Sequence, residues 1–575
     1  MGMYSTEKNV QILIAVLKAN HIKKVVVSPG TTNISFIVSM MNDGGFEMYS
    51  AVDERGAAYM ACGLSSESGE PVVITCTGAT ASRNYFPGLT EAYHRKIPIL
   101  AVTASQDLVR CGNLSPQFID RTVQPNDSVR ISVQVPIVRN NEDEYDATLK
   151  INRAVLELFR HGGGPAHINL ASSYTNAFSV EDLSHVRIIK RYYYNDRLPQ
   201  VPKCDKIAII VGNHKQFSEE LTHAIDIFCG LYNALVIVDH SSHYWGKYRI
   251  LPTIVTCQEQ HRTDLFDFDL LIHIGEEHGD YYTEPIAKAA KNVWRVSPDG
   301  EIRDPFRKLS YIFEMNEEDF FNYYTKDKKN TKPNHEYYDS IRKEVNDIYL
   351  KIPDLPFSNI WIAQQVIPKF PADACLELGV SNTMRSWTFF DFPKETYVLA
   401  NTGCRGIDGA VPTLLGMSLA CSEKIHYAVM GDLTFFYSFN VLGNRHVGRN
   451  LRILLVNNGC GQEFNIYPNR AYRIFEGNHD RINEYIAAGG HTGTKSKQLV
   501  KHFAEDLGFK YMTASSKEDF IKVLPIFMND KMNQSMLFEV FTDVDDENDA
   551  LKKIRNVKVD TSAALKSKIK SLLGR

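Results

Sequence analysis

Two apolar patterns alternate along most of the chain: short unbroken runs, as in strands buried on both faces, and stretches with apolar residues three or four apart, as in amphipathic helices. After Ser5-Thr6-Glu7 the pattern predicts a helix over 5–20, a strand at Lys24–Val27, the turn Ser28-Pro29-Gly30, a second helix and a strand at Tyr49–Val52. A strand at Pro98–Thr103 follows, and the glycine-rich turn Gly162-Gly163-Gly164 leads into another. Beyond a charged connector, Arg187–Pro202, the alternation resumes with strands at 207–212, 235–239, 270–275 and 293–296 and a helix over 217–229. Lys326–Tyr338 reads as a charged, proline-containing linker, and a third alternating region runs from about Phe357 to Thr542. Asn548–Arg575 is a basic tail with Leu565, Ile569 and Leu572 at near-helical spacing. This predicts an α/β chain of three doubly wound parallel-sheet domains, 1–185, 186–345 and 346–547, with a tail at 548–575.

The chain is organised around Met430–Phe464. Tyr427–Val429 reads as the end of one buried strand, Gly431-Asp432 as the turn leaving it, and Leu451–Val456 as the next strand, ending at Asn457-Asn458. In a parallel sheet the carboxyl ends of both strands lie on one edge, so Asp432 and Asn458 can meet there. A carboxylate with an amide oxygen suits Mg²⁺, and Gly431, Gly459 and Gly461 let backbone approach a diphosphate. Neither Gly162-Gly163-Gly164 nor Gly493-Thr494-Lys495-Ser496 forms a P-loop, and His240 and His243 read as ordinary loop histidines. In the first region Glu54 stands at a strand end, ahead of a helix rich in small residues (Ala57, Ala58, Ala61, Gly63). Taken alone, it is a helix-start carboxylate stabilised by the helix dipole.

Composition narrows the function. The chain has 575 residues, 44% apolar, enough for several cores, and its net charge of −4 supplies no long-range field for nucleic acid. Ten cysteines without a Cys-x-x-Cys pair fit reduced thiols and a cytoplasmic location, and no window is apolar enough to cross a membrane. Met1-Gly2 with Thr6 matches the myristoylation pattern only loosely, as chance often does.

Gly-Asp followed after a moderate gap by Asn-Asn resembles the signature of thiamine-diphosphate enzymes, in their decarboxylase and synthase branch. With Glu54 in the first unit and Asp432 and Asn458 in the third, the architecture is that of the pyruvate-oxidase-like group. Most of the chain resembles the 2-succinyl-5-enolpyruvyl-6-hydroxy-3-cyclohexene-1-carboxylate synthases of menaquinone biosynthesis. The resemblance rests on Gly431-Asp432-Leu433-Thr434-Phe435, Gln462 and Phe464, Gly403, Gly406-Ile407-Asp408-Gly409 and Ser28-Pro29-Gly30. It implies thiamine diphosphate and Mg²⁺, the metal held by Asp432, Asn458 and the carbonyl of Cys460. Gly431, Leu433, Gly406, Gln462 and Phe464 would contact the cofactor, with Ile407 as the apolar wedge that bends it. Glu54 would act at N1′ of the aminopyrimidine to promote loss of the C2 proton, and Gln117 would face the substrate. A homodimer, or a dimer of dimers, is implied with it.

The departures bear on the substrate. That family binds a succinyl unit and isochorismate, a dicarboxylate, through several basic residues. Thr32, Gln106, Asp280-Tyr281 and Thr402 stand here where those cations are expected, while Ser381 and Arg385 match a substrate-carboxylate site. Glu463 beside the cofactor would repel a carboxylate or act as an acid/base. Each lost charged hydrogen bond forfeits ~1.5–3 kcal/mol. These positions lead to the expectation of a transferase or lyase, a 2-oxo acid decarboxylase/carboligase with a changed acceptor, an aldehyde or ketone such as a sugar. The alternatives are the synthase itself with relocated arginines, and a non-catalytic binding subunit, against which intact Glu54, Asp432 and Asn458 argue. Expected partners are the two small-molecule substrates and a second copy of the chain, without nucleic acid or membrane.

Overall fold

Nearly every apolar run becomes a strand of parallel sheet. The computed structural model describes residues 3–283, 289–326, 332–491 and 495–560. Met1-Gly2, part of the Lys326–Tyr338 linker, Gly493-Thr494 and the tail beyond Asp560 lie outside the described residues.

A first compact unit comprises residues 1–192 and 300–312. Its strands are β1 (Lys24–Val27), β2 (Glu47–Ser50), β3 (Val72–Thr77), β4 (Ile99–Ser105), β5 (Ile131–Val135) and β6 (Ala166–Ala171), in the order β2-β1-β3-β4-β6-β5. The helix Lys8–Ala19 buries Val10, Ile12, Leu13, Ile14, Val16 and Leu17 with the apolar residues of the sheet. The strand expected at Tyr49–Val52 lies earlier, because Val52 is 80% exposed and Asp53 caps the next helix, its carboxylate accepting the Gly56 N–H. The chain must leave the sheet before Asp53 to make that cap.

The second unit, residues 193–299 and 313–575, holds two sheet systems. In its middle segment β7 (Ile207–Val211), β8 (Ala234–Ile237), β9 (Arg249–Ile250), β10 (Leu270–Ile274) and β11 (Val293–Val296) lie in the order β9-β8-β7-β10-β11. The last sheet contains β12 (Cys375–Leu378), β13 (Tyr397–Leu399), β14 (His426–Gly431), β15 (Leu451–Asn457), β16 (Lys510–Ala514) and β17 (Met536–Phe541), ordered β13-β12-β14-β15-β17-β16. Pairing of β14 with β15 is parallel, from His426 opposite Leu451 to Gly431 opposite Val456. The expected turn at Gly431-Asp432 is absent: the strand runs through Gly431, and the helix Asp432–Ser438 starts at the next residue.

His240 and His243 are buried rather than solvated, and tie the middle segment to the last one. His240 Nε2 lies 3.0 Å from the Trp387 carbonyl, and His243 bridges the His214 carbonyl (2.6 Å) and the Val398 N–H (3.2 Å). Burial holds both rings below their ordinary pKa, and a neutral His243 can donate from Nδ1 and accept at Nε2. The helix Val544–Ile554 spans the boundary expected at 547/548, and the chain stays docked to Asp560, whose carboxylate accepts the Arg262 N–H and pairs with His261, both at 3.0 Å.

Candidate functional site

The carboxyl edge of β14 and β15 carries the site. Asp432, the first residue of its helix, is only 4% exposed, and Asn458 directly follows the last residue of β15. Both line one cavity of ≈ 150 Å³ with Gly431, Leu433, Cys460, Gly461, Gln462 and Phe464. Burial pushes the Asp432 carboxyl up to about 7, against backbone N–H groups that favour the anion. Gly459 has a left-handed backbone (φ 76°), and a Cβ on Gly461 would sit 3.2 Å from the Ala487 carbonyl, so the loop after Asn458 closes tightly.

Several features fit a divalent cation and a diphosphate. A buried carboxylate gains most from a cation beside it. Gln462 Nε2 is buried without a protein partner, a donor aimed at no acceptor. Burial raises the Cys460 thiol to about 12, so the hard-oxygen donor there is its carbonyl, which accepts the Gln462 N–H at 2.9 Å and has a second lone pair. Ile407 lines the same cavity; Gly406 precedes it without lining it.

Next to this cavity lies an ion pair. Arg385, on the short helix Asn382–Trp387, donates both guanidinium ends to Glu463 at 2.6 and 2.8 Å. Burial alone would depress Arg385; the Glu463 carboxylate outweighs it and holds the guanidinium above its ordinary value. Ser381, at the start of that helix, has φ 65° and donates its N–H to the Tyr281 hydroxyl at 3.2 Å.

In the first unit Glu54 opens the helix Glu54–Ser68, half-buried, with Asn84 Nδ2 3.4 Å from its carboxylate. Thr32 Oγ1 lies 2.5 Å from both Thr77 Oγ1 and the Ala104 carbonyl, at the carboxyl ends of β3 and β4. Gln117 is exposed in a loop, with φ 59°. The structure thus brings Asp432, Asn458, Cys460, Gln462, Phe464, Ile407, Ser381 and Glu463 to one cavity of the second unit, while Glu54, Thr32 and Gln117 belong to the first.

Two positions read as acceptor-pocket residues have other partners. Asp280 is 4% exposed, and its carboxylate accepts from Thr253 Oγ1 (2.8 Å), Thr283 Oγ1 (2.5 Å) and the Tyr282 N–H (2.8 Å). Thr402 Oγ1 accepts from Asn213 at 3.0 Å. Sequence reasoning missed Arg405, whose guanidinium carbon lies 4.6 Å from the centre of the Tyr281 ring. Its only signal in the sequence is that it stands three residues after Thr402, in the same loop.

A doubly wound α/β chain with this cavity at a strand edge is a thiamine-diphosphate-dependent enzyme: residues 8–124 match the family described as thiamine pyrophosphate enzyme, N-terminal TPP binding domain. Along nearly its whole length the chain is similar to proteins named 2-succinyl-5-enolpyruvyl-6-hydroxy-3-cyclohexene-1-carboxylate synthase. It is 30% identical to that of Phocaeicola vulgatus (94% of this chain, 96% of the relative) and 30% to that of Bacteroides thetaiotaomicron (94% and 97%). To that of Flavobacterium psychrophilum it is 26% identical (92% and 95%). The chain belongs to the 2-succinyl-5-enolpyruvyl-6-hydroxy-3-cyclohexene-1-carboxylate synthase family. That corrects the expectation of a sugar-like acceptor: relatives over nearly the full length carry the synthase name, and Asp280 and Thr402, two of the positions that led to it, are engaged within the protein.

Proposed function

We propose that this enzyme catalyses the reaction for which its relatives are named, joining the succinyl unit of 2-oxoglutarate to isochorismate with loss of CO₂. The observation that carries the reading is the 30% identity over 96% of a relative named for that product. Asp432, Asn458 and the Cys460 carbonyl would hold Mg²⁺, which would neutralise the charge of the cofactor's diphosphate. When bound, thiamine diphosphate supplies the carbon nucleophile and electron sink of the reaction. Glu54 would hold a proton at N1′ of the aminopyrimidine, and Ile407, which lines the cavity, would pack against the cofactor. Gly431, Leu433, Gln462 and Phe464 enclose the cofactor and exclude water, and Arg385 with Ser381 takes the far carboxylate of the donor. Thr32, Gln117 and Glu463 stand around the substrates.

The purified protein with thiamine diphosphate, Mg²⁺, 2-oxoglutarate and isochorismate is expected to form the coupled product, detected by mass spectrometry. Release of CO₂ with isochorismate left unconverted would overturn the reading. Arg385→Ala is expected to raise the KM for 2-oxoglutarate by ~10- to 100-fold, the equivalent of one bidentate charged contact, and that for isochorismate much less.

The domain division at about 185 and 345 is part of the same reading, as is a cytoplasmic location; among the described residues no helix is long and apolar enough to cross a membrane. The smallest active form is a homodimer in which Glu54 of one copy serves the metal site of the other. In support, the Glu54 helix leaves Tyr59 48% and Met60 41% exposed, next to the exposed Val52. Sedimentation of the active enzyme should show a dimer or tetramer; a competent monomer would contradict this.

A further inference from the structure

Tyr281 meets two guanidinium groups from different elements. Arg385 Cζ lies 4.4 Å and Arg405 Cζ 4.6 Å from its ring centre, while its hydroxyl accepts the Ser381 N–H. Two like charges held against one ring repel each other unless anions face them. Glu463 supplies one carboxylate, and both of its oxygens go to Arg385. Among the described residues no carboxylate forms an ion pair with Arg405, which donates a hydrogen bond to the His278 carbonyl at 3.3 Å. The cluster therefore carries one positive charge more than its acid balances, beside a cavity that Ser381 and Glu463 line.

The backbone points the same way. Arg405 has φ 52° and Ser381 φ 65°, left-handed conformations that non-glycine residues seldom hold unless their surroundings impose them. In the same loop Thr402 is turned inward to Asn213, so the cation this loop presents at the site is Arg405.

We propose that Arg405, supported by the Tyr281 ring, binds a carboxylate of the acceptor; this rests on the functional reading above. The acceptor rather than the donor follows from position. The donor bonds to the cofactor and must be held from within the cavity, where Ser381 beside Arg385 forms part of the wall. Arg405 is exposed and outside that wall, within reach of a group that stays outside the cavity. A guanidinium offers two parallel N–H groups to a carboxylate, which a lysine cannot reproduce.

The test is steady-state kinetics of the holoenzyme with 2-oxoglutarate and isochorismate. Arg405→Ala is expected to raise the acceptor KM by ~10- to 100-fold and leave the donor KM within ~3-fold. Arg405→Lys should recover only part of the loss, and Tyr281→Leu should reproduce part of it by removing the platform. An unchanged acceptor KM in Arg405→Ala, or a rise in the donor KM instead, overturns the assignment while product formation by the unaltered enzyme leaves the functional reading standing. If the unaltered enzyme forms no coupled product, that reading fails and the Arg405 assignment falls with it.

Discussion

Asp432→Ala is expected to leave the protein unable to retain thiamine diphosphate and Mg²⁺ through gel filtration, and to lower turnover by about 10³-fold or more. The expectation follows from the chemistry of the edge where β14 and β15 end. Asp432 is the only charged residue among the proposed ligands; Asn458 and the Cys460 carbonyl are neutral oxygens, too weak a pair to draw a strongly hydrated divalent ion from water. A buried carboxylate facing a cation also contributes more than an exposed one, because little solvent screens it. Fold integrity should survive, since the variant removes a charge that burial penalises. Cofactor content per chain after gel filtration decides the matter, and stoichiometric retention by Asp432→Ala would refute the proposed metal site.

Glu54→Gln separates binding from chemistry. The amide keeps the shape of the side chain and its contact with Asn84, so cofactor affinity should change little, yet it cannot exchange a proton with N1′ as a carboxylic acid does. Turnover is expected to fall by ~10²- to 10⁴-fold, the usual contribution of a positioned acid/base. Hydrogen–deuterium exchange at C2 of the bound cofactor should slow in parallel. Unaltered exchange in Glu54→Gln would assign the activation to another group.

Much of the fold was legible because parallel strands are buried on both faces and stand out as unbroken apolar runs; Lys24–Val27 and Val293–Val296 were located to the residue. The second strand was displaced because its edge position leaves it half-exposed, and the cap made by Asp53 set where it ends. Asp432, Asn458, Cys460 and Gln462 were legible because they crowd around one pair of adjacent strands, so sequence order and spatial order agree. The substrate side was not. Its contacts join residues around 281, 385, 405 and 463, which meet only after the middle segment packs on the last one. The reading of Thr402 as a missing charge took no account of Arg405, which reaches the Tyr281 ring from three residues further along the loop.

The Arg385–Glu463 pair sets a condition on any incoming donor. The fork that would receive the far carboxylate is already filled by a carboxylate of the protein itself, so binding there is an exchange of one anion for another rather than the filling of an empty seat. A 2-oxo acid whose only carboxylate is the one it loses has nothing to exchange, and leaves Glu463 in place. On the proposed donor assignment, selection would turn on how readily a donor displaces Glu463, before the reacting carbon reaches the cofactor.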